Sequence, residues 1–218
     1  DGDKATSAGG VNLGNGALLG IQDDGPVASV VNPAFTRAAG EGSLDESQLP
    51  GTTPATGGQD GIYSATLNVA SAFSAPGGTA GSVGTDLPGT SESYALELSH
   101  QNIYSGLNLL NASDSTKPGN AIILVSGIGA DAGKVFGVEE GNTSNQVFVI
   151  SVDNKGVVTF AYTDQNPDNI YHANTGSNDE EIFLNTGLTE SLLVKQTITD
   201  QDGDKATSAG GVNLGNGA

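Results

Sequence analysis

The sequence predicts an all-β protein, an antiparallel β-sandwich, and three observations carry that prediction. Short runs rich in Val, Ile, Phe, Tyr and Thr recur along the chain, and Gly, Asn, Asp and Pro separate them, the usual punctuation of sheet proteins. One stretch, VFVISVDNKGVVTFAY, has two apolar arms of alternating pattern around Asp153-Asn154-Lys155-Gly156, with Gly156 available for a positive-φ turn position. No segment of comparable length carries helical periodicity.

In chain order, the expected strands are Ile62–Phe73, Ser93–Ser99, Asn120–Gly127, Lys134–Glu140, Gln146–Asp153, Val157–Asp164, Glu181–Asn185 and Leu192–Asp200. GLNLLNAS is expected to form at most one helical turn, with Leu107, Leu109 and Leu110 facing inward, because Gly and Asn flank it on both sides. Residues 25–60 are rich in Ala, Gly, Thr and Pro. Pro26, Pro33, Pro50 and Pro54 exclude a central strand there and suit a linker with one or two edge strands.

The last seventeen residues, Asp202–Ala218, repeat Asp1–Ala17 letter for letter, a period of 201 residues (202 minus 1). Solenoid repeats run to about 20–50 residues, so a unit this long is a domain in its own right. The chain therefore reads as one unit of a tandem array plus an overhang. Residues 1–23 are expected to be the C-terminal tail of a preceding repeat or a linker strand, and residues 24–218 a single β-sandwich repeat whose length closes a sizeable core.

The composition has 25 acidic against 7 basic residues, a formal charge of -18, and no Cys, Met or Trp. Such acidity repels nucleic acid and anionic membranes and attracts cations. Without cysteine, rigidity outside a cell has to come from the core or from bound metal. No apolar run of spanning length and no leader-like segment is present in the sequence, so membrane insertion is not expected.

The acidic residues that fit a cation best are Asp200, Asp202 and Asp204, at i, i+2 and i+4 with Gly203 among them. On a straight strand these side chains stand about 7 Å apart, too far to share an ion. A bend at Gly203 brings them together, and with backbone carbonyls they make a cradle for Ca2+, which takes about six to eight oxygens. The spacing is not that of an EF-hand, since the sixth and twelfth positions from Asp200 are Lys205 and Gly211. In the first copy Asp1 and Asp3 correspond to Asp202 and Asp204. Asp23 and Asp24, in IQDDGP, fall where the domain junction is expected, so tract and linker carboxylates are expected to converge on one ion that clamps adjacent repeats.

TDQDGDKAT, IQDDGP, SLDESQLPG, SYALELSHQNIYSGL and VFVISVDNKGVVTF together resemble the repeats of giant type I-secreted bacterial adhesins related to RTX proteins, over most of the chain from Asp24 onward. The resemblance implies an immunoglobulin-like or related sandwich, calcium-dependent and repeated many times as an extender that holds a ligand-binding region away from the cell surface. It implies the calcium role for Asp200, Asp202, Asp204, Asp23 and Asp24, an extracellular location on a bacterium, and adjacent repeats as partners, with an isolated unit monomeric. The period is longer than the commoner form of that repeat, which suggests an insertion between Gly57 and Gly89 or between Asn111 and Gly133.

Other motifs point nowhere specific. Glu139-Glu140 and Glu180-Glu181 sit side by side, and adjacent strand residues face opposite ways, so neither pair makes a glycosidase dyad. His100 and His172 have no sequence partner for zinc. No nucleophile, base and orienter assemble, so enzymatic activity is not expected. The competing reading is a carbohydrate-binding module in the same type of protein, disfavoured by 5% aromatic content and the absence of Trp.

Overall fold

The computed structural model describes residues 26–38, 41–44, 64–75, 90–163, 170–173 and 182–215. Ten strands are present among them: β1 Ser64–Asn68, β2 Ser91–Leu98, β3 Ile103–Leu110, β4 Pro118–Ser126, β5 Val135–Glu139, β6 Asn142–Val152, β7 Val157–Tyr162, β8 Leu192–Thr199, β9 Lys205–Thr207 and β10 Val212–Asn213. The helical content of the described residues is two 3₁₀ turns, Ala70–Ala72 and Gly129–Asp131. The protein is all-β and antiparallel, as its sequence predicts.

One sheet has six strands in the order β1-β7-β6-β5-β4-β3, and the other is built on β8, with β2 on one edge and β9 and β10 on the other. From β3 to β7 each strand pairs with the next, a meander closed by short turns. The two sheets share one apolar cluster. Phe148, Ile122, Leu124 and Ile103 from the larger sheet pack with Leu192, Val194 and Tyr94 from the smaller.

Burial follows strand position. β8 alternates strictly, with Leu192, Val194 and Ile198 inward, the period of a half-buried strand. β5 is buried on both faces over Val135, Phe136, Gly137 and Val138. Gly137 is required there, because a Cβ would lie 2.2 Å from the Phe148 ring. That ring meets Phe160 edge-on at 5.0 Å. The predicted β6–β7 hairpin is present: Gly156 has φ +76°, its N–H donates to the Asp153 carbonyl, and the Asp153 N–H donates to Val157.

Two expectations change. Leu107, Leu109 and Leu110 belong to no helical turn; they lie in β3, where Ile103, Ser105, Leu107 and Leu109 are buried alternately and Leu110 is only half-buried. Sheet pairing to β4 overrides the local composition. Among residues 182–185 no strand forms; the Asn185 N–H instead donates to Ser105 at 2.7 Å. The approach is allowed by Gly106, at φ +85°, where a Cβ would stand 2.7 Å from the Asn185 carbonyl. Residues 111–133 include β4, the strand expected at Asn120–Gly127, which lies between β3 and β5.

Residues 26–31 form no strand; a single bridge joins Val30 to Phe73 beside the 3₁₀ segment, and the Val31 N–H donates to Ala72. Two strands were not expected. β9 and β10 lie inside the repeated tail and pair antiparallel with β8, so Asp202–Gly215 is part of this sheet and not a trailing linker.

Candidate metal centre

The inward alternation of β8 continues one step past its end. Leu192, Val194, Gln196 and Ile198 are followed on the same face by Asp200, which is 4% exposed. A carboxylate at an apolar-face position costs free energy unless partnered. One oxygen is partnered: Asp200 Oδ1 accepts the N–H groups of Gly203 at 3.1 Å and Asp204 at 2.8 Å, and the Asp200 N–H donates to the Asp204 carbonyl at 3.1 Å. Those bonds close the hairpin between β8 and β9. Gly203 takes φ +104°, the left-handed conformation that lets the chain reverse, so the bend expected at this residue is present.

The other oxygen, Asp200 Oδ2, is buried and has no hydrogen-bond partner among the described residues. Asp202 and Asp204 are exposed, and together with Asp200 each offers an oxygen such that all lie within 4.8 Å of one another. The Asp202 carboxylate facing Asp200, with burial, holds the Asp200 carboxyl above its ordinary value. Asp202 is correspondingly held low by its contact with Asp200 and by the Asp204 N–H. Two carboxylates facing each other repel, and the site is short of positive charge.

The donor set is entirely oxygen, and it includes a desolvated, unsatisfied carboxylate atom. That chemistry suits a hard divalent cation, Ca2+ before Mg2+, because the turn is irregular and magnesium demands near-octahedral geometry. The residues fit such an ion. Asp1, Asp3, Asp23 and Asp24 lie outside the described residues. After Asp204 the chain turns back along β8, so by Val212, which pairs with Val194, it has travelled away from the aspartate turn. The triad therefore sits in a hairpin within the domain, and β10 lies at the opposite end of β8.

A second polar cluster had not been singled out in the sequence. Gln196 is fully buried on the core face of β8; its Nε2 donates to the Ser74 carbonyl at 3.0 Å, to Glu92 at 3.1 Å and to Tyr94 at 3.3 Å. Tyr94 donates to Glu92, and burial, ahead of that carboxylate's influence, pushes its phenol up to about 12. This network ties β8 and β2 of the smaller sheet to Ser74, just past the 3₁₀ turn that follows β1. The signal was available, since Gln196 occupies an inward position in the Leu192 alternation.

The other candidates resolve structurally. Glu139 is clamped by the amides of Asn120, Asn145 and Asn142, which hold its carboxyl below the ordinary value. Glu180 and Glu181 lie outside the described residues. His100 lies 3.3 Å from Glu190. An open cleft of about 490 Å³ lies between β3 and the 182–185 segment, lined by Asn108, Tyr171, Phe183 and Asn185 among others. No helix among the described residues is long and apolar enough to cross a membrane.

Among known proteins, the family described as "Domain of unknown function (DUF5801)" matches residues 42–215. No curated protein and no solved structure matches the chain. The matched span takes in all ten strands and the aspartate turn, and the chain belongs to the DUF5801 family.

Proposed function

We propose that this chain is a calcium-dependent structural repeat of a large bacterial surface adhesin, one bead of a tandem array that projects a distal ligand-binding region away from the cell. The observation that carries the reading is Asp200, which has a buried, unpartnered Oδ2 and whose carboxylate forms a cluster with those of Asp202 and Asp204. The 201-residue period, the charge of -18 and the resemblance to RTX-related adhesin repeats support it.

An ion at this turn pins the β8–β9 hairpin, and so ties the tail to the sheet. Calcium needs more oxygens than three carboxylates supply, and Asp23 and Asp24 of a neighbouring repeat are the proposed source, with Asp1 and Asp3 as the counterparts of Asp202 and Asp204. In this role the ion stiffens the array. Low cytosolic calcium leaves the chain loosely folded for type I secretion, and external calcium stabilises the folded state by mass action. The test is thermal unfolding in millimolar calcium against chelator, with two linked units measured by small-angle scattering in both conditions. A melt unmoved by calcium removes the metal role; a two-unit sample equally straight in chelator removes the stiffening role.

A second reading, a carbohydrate-binding module, is favoured by the cleft lined by Tyr171 and Phe183 together with Asn108 and Asn185. Saturable binding on a glycan array, lost on Phe183→Ala, supports it.

A further inference from the structure

The two sheets have four edges, and they are not equally guarded. β9 and β10 make one of them and are too short to template a partner. β1 and β3 make two more, and each carries bonds from a passing segment: Gly42 donates its N–H to Thr66, and Tyr171 and Asn185 donate theirs to Asn108 and Ser105. β2 makes the fourth. It runs for 8 residues in unbroken register with β8, with no proline, lysine or bulge, the devices that ordinarily protect an edge. Among the described residues no main-chain bond reaches its outer side. The ladder shows which groups are left there. Leu214 and Ser208 donate to the carbonyls of Leu192 and Gln196, so the even-numbered residues of β8 aim their main chain at the tail and the odd-numbered ones aim theirs at β2. Ser91, Ser93, Ala95 and Glu97 stand opposite those odd residues, a series that the Ser99 N–H continues by donating to Ser191. Glu92, Tyr94, Leu96 and Leu98 therefore present their N–H and C=O groups outward.

We propose that this edge pairs antiparallel with the β2 of a second copy of the chain, about a two-fold axis at Ala95. The strand is complementary to itself in that register. Ser91 meets Ser99 of the second copy, Ser93 meets Glu97 and Ala95 meets Ala95 on the solvent face, where Ser91, Ser93 and Ala95 are small and exposed. On the core face Tyr94 meets Leu96. Glu92 meets Leu98, and its carboxylate is already held inside its own chain by Tyr94 and Gln196. No like charges stand opposite each other, which a directly facing pair would penalise. Moving the axis to Tyr94 or to Leu96 shortens the ladder that Ser91–Ser99 makes with itself. Main-chain bonds supply the affinity, the self-complementary side chains set the register, and the contact closes at two copies. In a tandem array every unit carries the same edge, so pairing joins arrays side by side and strengthens with each unit engaged. The inference stands on strand pairing, does not depend on calcium, and departs from the expectation that an isolated unit is monomeric.

The test uses the full chain, which has no cysteine, so a single introduced thiol reports the register. Ala95 and its counterpart form a non-hydrogen-bonded pair, whose Cα atoms stand about 4.5 Å apart, within disulfide reach. Ala95→Cys, oxidised at millimolar protein in physiological salt that screens the charge of -18, is expected to form a linked dimer at least tenfold faster than Ser91→Cys, whose two copies lie at opposite ends of the ladder. Sedimentation equilibrium of the unmodified chain is expected to show a concentration-dependent dimer. Ala95→Glu faces Lys195 within its own chain but sets two carboxylates against each other across the axis. It is expected to weaken the dimer at least tenfold and to leave the melting temperature in dilute solution unchanged. A chain that stays monomeric at every concentration, equal linking rates for the two cysteine variants, or a dimer indifferent to Ala95→Glu would overturn the inference.

Discussion

Two hairpin turns in this molecule open on an aspartate that caps backbone N–H groups, and they behave oppositely. Asp153 Oδ1 accepts from Lys155 at 2.9 Å and Val157 at 2.8 Å; those bonds, with the Lys155 charge, hold its carboxyl below the ordinary value. Asp200 Oδ1 likewise accepts from Gly203 and Asp204, yet its carboxyl is raised. The difference lies in the neighbours. Asp153 is exposed beside a lysine, whereas Asp200 is buried beside Asp202. One turn is electrostatically complete, and the other is the one the proposed calcium ion would complete.

Metal is the strongest way to separate them. Calcium at a hundredfold excess over its Kd stabilises a folded binder by about 2.7 kcal/mol, which for a domain of this size raises the melting temperature by roughly 5–10 °C. Asp202→Ala with Asp204→Ala should abolish that rise, and Asp153→Ala should leave it intact while lowering the melt equally with and without calcium. Calorimetry of the three proteins in calcium and in chelator checks this; a calcium rise that survives the double substitution breaks the comparison.

Acid sharpens it, because the two carboxyls respond with opposite sign. The folded-state value of Asp153 is depressed, so its contribution is present above the unfolded value near 3.8 and is lost as pH falls through the lower folded value. The folded-state value of Asp200 is raised, so in chelator its effect runs the other way: the folded state is favoured below 3.8 and loses that advantage as pH rises through the raised value. Metal-free protein should therefore gain stability on mild acidification, in the window just above 3.8, and Asp200→Asn should flatten that gain. Asp153→Asn should matter at neutral pH and become silent below its depressed value. Denaturant midpoints across this range, in chelator, provide the measurement.

How far these features were legible depends on whether the sequence or the sheet decided them. The β6–β7 hairpin was readable because two long alternating arms and Gly156 agree on one register. β3 was not, since Gly106 and Asn108 interrupt its pattern and the pairing with β4 makes the strand. β9 and β10 are too short and polar to announce themselves, and Lys-Ala-Thr becomes a strand only because β8 leaves an edge to fill. The aspartate triad was legible as a spacing. The burial of Asp200 was implied by stepping two residues at a time from Leu192, but the unpartnered oxygen needed the turn geometry to appear.

The smallest expected difference concerns the turn glycines. Gly156 and Gly203 both hold positive φ, +76° and +104°, so an alanine at either place is strained, by about 1 kcal/mol. Their surroundings differ. A Cβ at Gly156 would stand 3.1 Å from the Ala70 backbone and side chain, in the 3₁₀ segment whose Val69 N–H bonds the Gly156 carbonyl, whereas a Cβ at Gly203 meets nothing within 4 Å. Gly156→Ala should therefore cost more, because the contact with a packed element adds to the strain, and its cost should be the same with and without calcium. Gly203→Ala should cost about the strain alone in chelator and more in calcium, since shifting this residue moves the N–H groups that aim Asp200 at Asp202 and Asp204. Equal penalties for the two glycines in both buffers would mean that the aspartate turn is held as rigidly empty as filled, and the contrast between the two hairpins would then rest on charge alone.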